Sequence, residues 1–222
     1  MDFGCPKFSP DAKKIACFGY SRSTSEVGIF LYDLELKKGF QFLSPTGYLS
    51  KYLDWSPDGE WIAYSSVVFD YKSYECDIYK IRPDGTDNQL LWDGAKFSEE
   101  FTIQGLNWSD DGKYIAIGTE EYVSGAFTYN RCILLINSDG SGKHKILVPP
   151  EKSGAYPEFD STGENVLFVR YRGPWQRFGI EQVDFTGGNG KMIVEGMYPT
   201  TYPGSPYIYF EKEYEIWRYR MY

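Results

Sequence analysis

Apolar and polar residues alternate in short runs along the whole chain, and Gly, Pro, Asp and Ser separate these runs. In the run 27–34, for example, Ile29 and Leu31 fall on one side of an extended segment, and Phe30 and Tyr32 fall on the other. Short runs of this kind, rich in aromatic and β-branched residues and bounded by turn formers, predict β-strands. No segment shows the 3.6-residue periodicity of an amphipathic helix. We therefore expect an all-β protein.

A strand–turn–strand pattern recurs about every 50 residues, which is the period of a propeller blade or similar repeat. The clearest copy, residues 55–64, reads Trp-Ser-Pro-Asp-Gly-Glu-Trp-Ile-Ala-Tyr, and further copies begin at Phe8, Trp108 and Phe159. Each unit can bury its apolar faces only by stacking on its neighbours, so the repeat predicts one domain. The predicted fold is a β-propeller of four-stranded antiparallel blades.

The repeat divides the chain 1–222 into four recognisable blades and an incomplete fifth. The predicted blades are approximately 4–48, 49–102, 103–154 and 155–200, followed by a partial blade at 201–222. Only two strands, near 207–210 and 214–222, are predicted for the fifth blade, so its outer edge lacks a strand. Either a longer parent chain completes this edge, or a homodimer or a strand-donating partner covers it.

The residues after the second turn carry a further motif. Residues 77–86 read Asp-Ile-Tyr-Lys-Ile-Arg-Pro-Asp-Gly-Thr, and they follow the aromatic-Ser-Pro-Asp-Gly-x-x-Ile-Ala-Tyr pattern of 55–64. Together these motifs resemble the TolB-like, WD-like propeller repeat, strongly in blades 2 and 3 and in a degenerate form in blade 4. The resemblance implies the fold. It leaves the function open, because such propellers serve as scaffolds, peptidase gates and domains of sugar-processing enzymes.

The acidic balance of the chain narrows the classes of partner. The formal net charge is −8, whereas a nucleic-acid partner would require a basic face. No apolar run approaches the roughly 18 residues of a membrane helix. The N-terminus lacks the basic and apolar regions of a signal peptide, so we expect a cytoplasmic protein unless a leader has been removed; the compartment is otherwise open.

Residues that could perform catalysis or hold a metal are few. His144 is the only histidine, no Gly-x-Ser-x-Gly elbow occurs, and the four cysteines form no CxxC pair. Asp11, Asp58 and Asp111 could be read as calcium ligands, but their recurrence in each blade indicates turn chemistry. We therefore predict no catalytic residues, no metal and no cofactor, and we lean against an enzyme.

The segments between the second and third strands of each blade vary most and combine aromatic residues with arginine. Flat rings provide contact area and guanidinium groups provide forked hydrogen bonds, as in many binding surfaces. We therefore predict a non-enzymatic module that binds a protein, peptide or glycan, although such aromatics also anchor long loops. Two alternatives are an accessory or catalytic domain of a glycan- or peptide-processing enzyme, and a structural unit completed by strand pairing. The predicted binding residues are Tyr71, Tyr74, Tyr122, Phe127, Tyr171, Arg172, Trp175 and Arg177.

Overall fold

The structure is a computed structural model, and it describes residues 2–37, 41–45, 51–70, 73–94, 101–123, 128–149, 154–170, 178–187, 190–202 and 204–221. The Cα positions divide the chain into two compact units, Met1–Ile103 and Gln104–Tyr222. Every regular element of three or more residues in the described part is a β-strand. Among the described residues, no helix is long and apolar enough to cross a membrane.

The first unit holds two four-stranded antiparallel sheets whose strands neighbour each other in chain order. The first sheet consists of β1 (Asp2–Phe8), β2 (Lys14–Ser21), β3 (Glu26–Asp33) and β4 (Gln41–Pro45). The second consists of β5 (Leu53–Trp55), β6 (Ile62–Asp70), β7 (Ser73–Ile81) and β8 (Gln89–Trp92).

The second unit holds two further four-stranded sheets and a three-stranded one, again with strands in chain order. The third sheet consists of β9 (Phe101–Trp108), which begins in the first unit, β10 (Tyr114–Val123), β11 (Thr128–Asn137) and β12 (Lys145–Val148). The fourth consists of β13 (Gly154–Phe159), β14 (Asn165–Arg170), β15 (Gly179–Asp184) and β16 (Lys191–Glu195). The fifth consists of β17 (Met197–Thr200), β18 (Tyr207–Lys212) and β19 (Glu215–Arg220).

Five small antiparallel meanders of this kind are arranged as a β-propeller, so the predicted fold class is confirmed. Each sheet is one blade, and its first strand is the inner strand of that blade. The prediction of an incomplete fifth blade is also confirmed, since the described part of this sheet has three strands. β17 (Met197–Thr200), which lies before the approximate predicted boundary at residue 200, pairs with β18 in the fifth sheet.

The apolar residues of the alternating strand pattern form the buried core of each unit. In the first unit, Ala16, Ile29, Trp55 and Ile62 belong to one buried cluster. In the second unit, the third and fourth sheets share a buried cluster that includes Ile133 and Phe168. Burial of each large apolar side chain contributes about 1.5–3 kcal/mol before the cost of conformational entropy, so these clusters are the main source of stability.

The recurring Ser-x-Asp turns close the hairpins between the first and second strands. The hydroxyl of Ser56 donates to Asp58 Oδ1 at 2.5 Å and accepts the Trp61 N–H at 2.9 Å. Asp58 Oδ1 also accepts the Glu60 N–H at 2.9 Å, and Gly59 has a φ of 73°. Local side-chain caps of this kind explain the motif, so the interpretation as turn chemistry is confirmed.

The same turn is built three times with small variations. Ser9 donates to Asp11 at 2.6 Å, and Ser109 donates to Asp111 at 2.8 Å. Blade 1 places Ala12, with a φ of 56°, where the other copies have glycine. In blade 4, Asp160 takes the serine position and accepts from Thr162 and Asn165. The end of each blade that carries this turn is called the turn end below.

Candidate functional site

The opposite end of each blade, where the second and third strands are joined, is called the hairpin end; it comprises residues 21–26, 70–73, 123–128 and 170–179 of the first four blades. In the sequence, all eight predicted binding residues fall within or beside these segments. Tyr74 and Tyr122 are strand residues, and their backbones pair with those of Phe69 and Tyr129. The other six lie outside the described residues: Tyr71, Phe127, Tyr171, Arg172, Trp175 and Arg177.

In the second and third blades, the described residues that flank the hairpin ends belong to regular strands. β10 and β11 pair continuously from Tyr114–Asn137 to Val123–Thr128, so residues 120–123 and 128–131 extend the sheet. In the same way, β6 and β7 pair as far as Asp70–Ser73. Valine, threonine and tyrosine favour strands, and here this preference continues the ladder past the polar Glu120 and Glu121.

The extended third-blade hairpin carries an ion pair at its base. Arg131 Nη2 and Nε both lie 2.5 Å from Glu120 Oε2, and both side chains are largely buried, at 16% and 17% exposed. Gln104 on β9 donates to the other oxygen of Glu120 at 3.3 Å. Glu121 accepts instead from Asn130, so the two adjacent glutamates have different partners.

The fourth blade carries a second, more deeply buried ion pair. Arg170, the last residue of β14, places Nε 2.6 Å from Oε1 of Glu181 on β15. The Glu181 side chain is 3% exposed, and the Arg170 side chain is 15% exposed. The guanidinium group also lies over the Phe168 ring, 5.6 Å from its centroid. Arg170 directly precedes the segment 171–177, which contains four of the predicted binding residues.

Both ion pairs lie on the faces that the third and fourth sheets turn toward each other. Side chains alternate along a strand, so Arg131 shares a face with Ile133, and Arg170 shares a face with Phe168. Ile133 and Phe168 pack in the same buried cluster between these sheets. The pairs Glu120–Arg131 and Arg170–Glu181 therefore cap this cluster at its hairpin end, where each charge lies close to one of opposite sign.

Sequence reasoning missed three of these four charged residues. Arg131, Arg170 and Glu181 each stand in a strand two residues from a buried apolar residue, namely Ile133, Phe168 and Val183. A charged residue at an otherwise apolar position of a predicted strand is the feature that could have indicated a buried ion pair. Its partner can be named only when the register of the neighbouring strand is known, and a single sequence does not provide that register.

No family model and no curated protein matches the sequence. Among solved structures, TolB from Acinetobacter baumannii matches with a TM-score of 0.71 and 18% identity, over 99% of this chain and 52% of that chain. A putative TolB from Agrobacterium tumefaciens matches with a TM-score of 0.66 and 20% identity, over 94% of this chain and 69% of that chain. The chain has the TolB-like β-propeller fold.

This TolB-like fold is shared with enzymes. An oligogalacturonate lyase in complex with manganese matches with a TM-score of 0.64 and 13% identity, over 98% of this chain and 65% of that chain. The chain spans 52%, 65% and 69% of the lengths of these three proteins. At such identities the likeness defines the fold and not an activity.

Other reactive groups in this TolB-like propeller serve packing. In the described residues, no group of three or more His, Cys, Asp or Glu side chains is arranged to hold a metal ion. Burial raises the pKa of the Cys76 thiol to about 12 and those of Cys17 and Cys132 to about 11, so these thiols are protonated and unreactive at neutral pH. Asn107 is buried, and its amide oxygen accepts the Phe159 N–H at 2.8 Å, linking blades 3 and 4.

Proposed function

We propose that this TolB-like propeller is a non-enzymatic binding module that recognises a protein, peptide or glycan at the hairpin ends of its third and fourth blades. The observation that carries the proposal is the pair of buried ion pairs at the bases of these hairpins. Breaking a buried ion pair costs about 3–5 kcal/mol, so the geometry at the base of each hairpin is firmly maintained. A fixed base beneath variable tips is the usual arrangement of binding loops on a rigid scaffold.

The composition of the tips supports the same role. The segment 171–177, directly after Arg170, contains Tyr171, Arg172, Trp175 and Arg177. Tyrosine, tryptophan and arginine are the residues most enriched at binding hot spots. Arginine can also form forked hydrogen bonds with carboxylate or carbonyl groups of a ligand.

The binding role is tested by replacing Trp175 and Arg177 together with alanine. The wild-type protein and the variant are applied to printed arrays of peptides and of oligosaccharides, and their melting temperatures are compared. We expect the variant to lose binding with an unchanged melting temperature, because the proposal assigns both side chains to the ligand. Undiminished binding by the variant would contradict the site.

A matched control is available at the turn end of blade 2. There the Arg82 guanidinium lies 4.4 Å from the centroid of the Trp61 ring. Replacement of Trp61 and Arg82 by alanine removes the same two residue types from the opposite end of a blade. This control variant should bind the arrays like the wild-type protein, and equal losses in both variants would point to general destabilisation.

A second candidate function is a structural unit completed by strand pairing with another chain. In the described residues β19 pairs only with β18, and all six of its residues are exposed. Ile216 and Trp217 are 78% and 50% exposed, which is unusual for the apolar residues of an edge strand. Light scattering tests this role: a dimer that Ile216→Lys dissociates would support it, and a strict monomer with no strand-donating partner would refute it.

A further inference from the structure

The register of the second and third strands aligns one isoleucine in the third strand of every blade. Its strand partner stands at the same distance along the chain from the turn in each blade, as Phe18 follows Ser9 and Glu211 follows Tyr202. The five aligned residues are Ile29, Ile78, Ile133, Ile180 and Ile216. The first four are fully buried, whereas Ile216 is 78% exposed.

The aromatic residue that precedes the turn shows the same contrast at the other end of the blade series. Trp55, Trp108 and Phe159 precede the turns of the second, third and fourth blades, and they are 5%, 7% and 3% exposed. Phe8 precedes the turn of the first blade and is 62% exposed. One aromatic residue and one isoleucine thus remain exposed at positions that are buried elsewhere in the repeat.

These two positions belong to one kind of contact between neighbouring blades. Ile29 of the first blade and Trp55 of the second belong to the same buried cluster. Likewise, Ile133 of the third blade and Phe159 of the fourth belong to one cluster. The isoleucine of one blade and the aromatic residue of the following blade therefore lie on opposite sides of the same interface. Ile216 has no following blade in this sequence and Phe8 has no preceding one, so each is an uncovered half of this interface.

The strand partner of Phe8 shows how far the uncovered part of the first blade extends. Ile15 pairs with Phe8 and is partly exposed, whereas its counterpart Ile62, which pairs with Trp55, is fully buried. Further along the same face Cys17 and Phe30 are buried, so the uncovered part is the half next to the turn end. That half is the part of the face that a neighbouring blade covers at Trp55.

We propose that copies of this chain associate head to tail, with the Ile216 face of the fifth blade in one copy packed on the Phe8 face of the first blade in the next copy. A second copy is the occupant that the repeat favours, because one chain carries both halves of an interface that it already forms between its own blades. Burial of the two apolar side chains drives the association. A head-to-tail contact leaves one free face on each end copy, so dimers and larger species form as the concentration rises. This association does not depend on a ligand, and it differs from strand pairing at the β19 edge, which does not require Phe8.

The test is sedimentation velocity of the wild-type protein and of single variants over a range of concentrations. We expect Phe8→Lys and Ile216→Lys each to weaken self-association about tenfold or more, the size expected when one large apolar side chain is no longer buried. Leu36→Lys is the matched control, because Leu36 is 63% exposed and lies on the turn after β3, outside both faces. It should associate like the wild-type protein. All three variants should keep the wild-type melting temperature, because the replaced side chains are exposed in the single chain.

Mixing the two variants tests the head-to-tail arrangement directly. A Phe8→Lys copy keeps its fifth-blade face and an Ile216→Lys copy keeps its first-blade face, so an equimolar mixture should form a heterodimer and no larger species. This recovery would also show that both variants are folded. A mixture that stays monomeric would overturn the head-to-tail contact, and so would a wild-type chain that is monomeric at every concentration. Association that Ile216→Lys abolishes and Phe8→Lys leaves unchanged would assign the contact to the β19 edge and overturn the proposed packing of blade faces.

Discussion

The two ends of the blades differ in how their polar groups are used. At the turn end, Ser9, Ser56 and Ser109 donate to an aspartate two residues later at 2.6, 2.5 and 2.8 Å. At the hairpin end, the described contacts differ from blade to blade: the third has Glu120–Arg131, and the fourth has Arg170–Glu181. Hydrogen bonds that recur from blade to blade stabilise the fold, and contacts that occur in one blade only indicate where a specific function lies.

The charged groups at the two ends of the blades also differ in how deeply they are buried. The turn aspartates are close to solvent, and each satisfies backbone groups of its own turn. The hairpin-end pairs instead join different strands, and Glu181 is almost fully enclosed. Removing one member of an ion pair at the turn end should therefore change the stability only slightly, because solvent screens the charges there. At the hairpin end the same change leaves a buried charge without its oppositely charged partner, and the loss of stability should be larger.

The largest expected effect comes from breaking the fourth-blade ion pair. Glu181→Ala leaves the Arg170 guanidinium without its carboxylate partner on β15, and we expect the free energy of unfolding to fall by about 3–5 kcal/mol. Urea denaturation followed by tryptophan fluorescence measures the change. Replacing both partners, by Arg170→Met and Glu181→Leu, should restore most of the loss, because no buried charge is then left behind.

The control for this comparison is an ion pair near the turn end. Arg82 Nη1 and Glu60 Oε2 are 3.1 Å apart, and their side chains are 36% and 61% exposed. Glu60→Ala should cost no more than about 1 kcal/mol, since solvent screens exposed pairs. If Glu181→Ala lowers the free energy of unfolding as little as Glu60→Ala does, the burial of the ion pairs does not distinguish the two ends of the blades.

Repetition also explains how much could be predicted from the sequence. The Ser-x-Asp turns were predictable because their hydrogen bonds connect residues two to five positions apart. β17 is not among the two strands predicted for the fifth blade, because Pro199 interrupts its pattern and proline is rare within strands. Arg170 and Glu181 find each other only after β14 and β15 are in register. Ile29 and Trp55 meet only after two blades have packed. Nonlocal pairing of this kind leaves no mark in a single sequence.

The smallest expected effect is the pH dependence of the turn end. A hydrogen bond from the Ser9 hydroxyl lowers the pKa of Asp11. Burial raises the pKa values of Asp58 and Asp111, but hydrogen bonds outweigh it, so both values are lowered overall. These bonds come from serine hydroxyls and backbone N–H groups and, at Asp111, also from the Lys113 ammonium group. A carboxyl with a lowered folded-state pKa stabilises the fold above its ordinary pKa. This contribution is lost as the pH falls through the folded-state value.

The contribution of the turn aspartates should therefore be complete at neutral pH and should decrease below the ordinary aspartate value of 3.8. Other carboxyl groups also titrate in this range, so the informative quantity is the difference between the wild-type protein and a variant with Asp11→Asn, Asp58→Asn and Asp111→Asn. In urea denaturation from pH 7 to pH 3, the variant should be less stable at pH 7, and the gap should narrow toward pH 3. The gap closes because protonation removes from the wild-type protein the same carboxylate hydrogen bonds that the substitutions remove. A stability difference that stayed constant with pH would show that the ionisation of the turn carboxyl groups does not contribute to stability. The turn end would then differ from the hairpin end only in exposure.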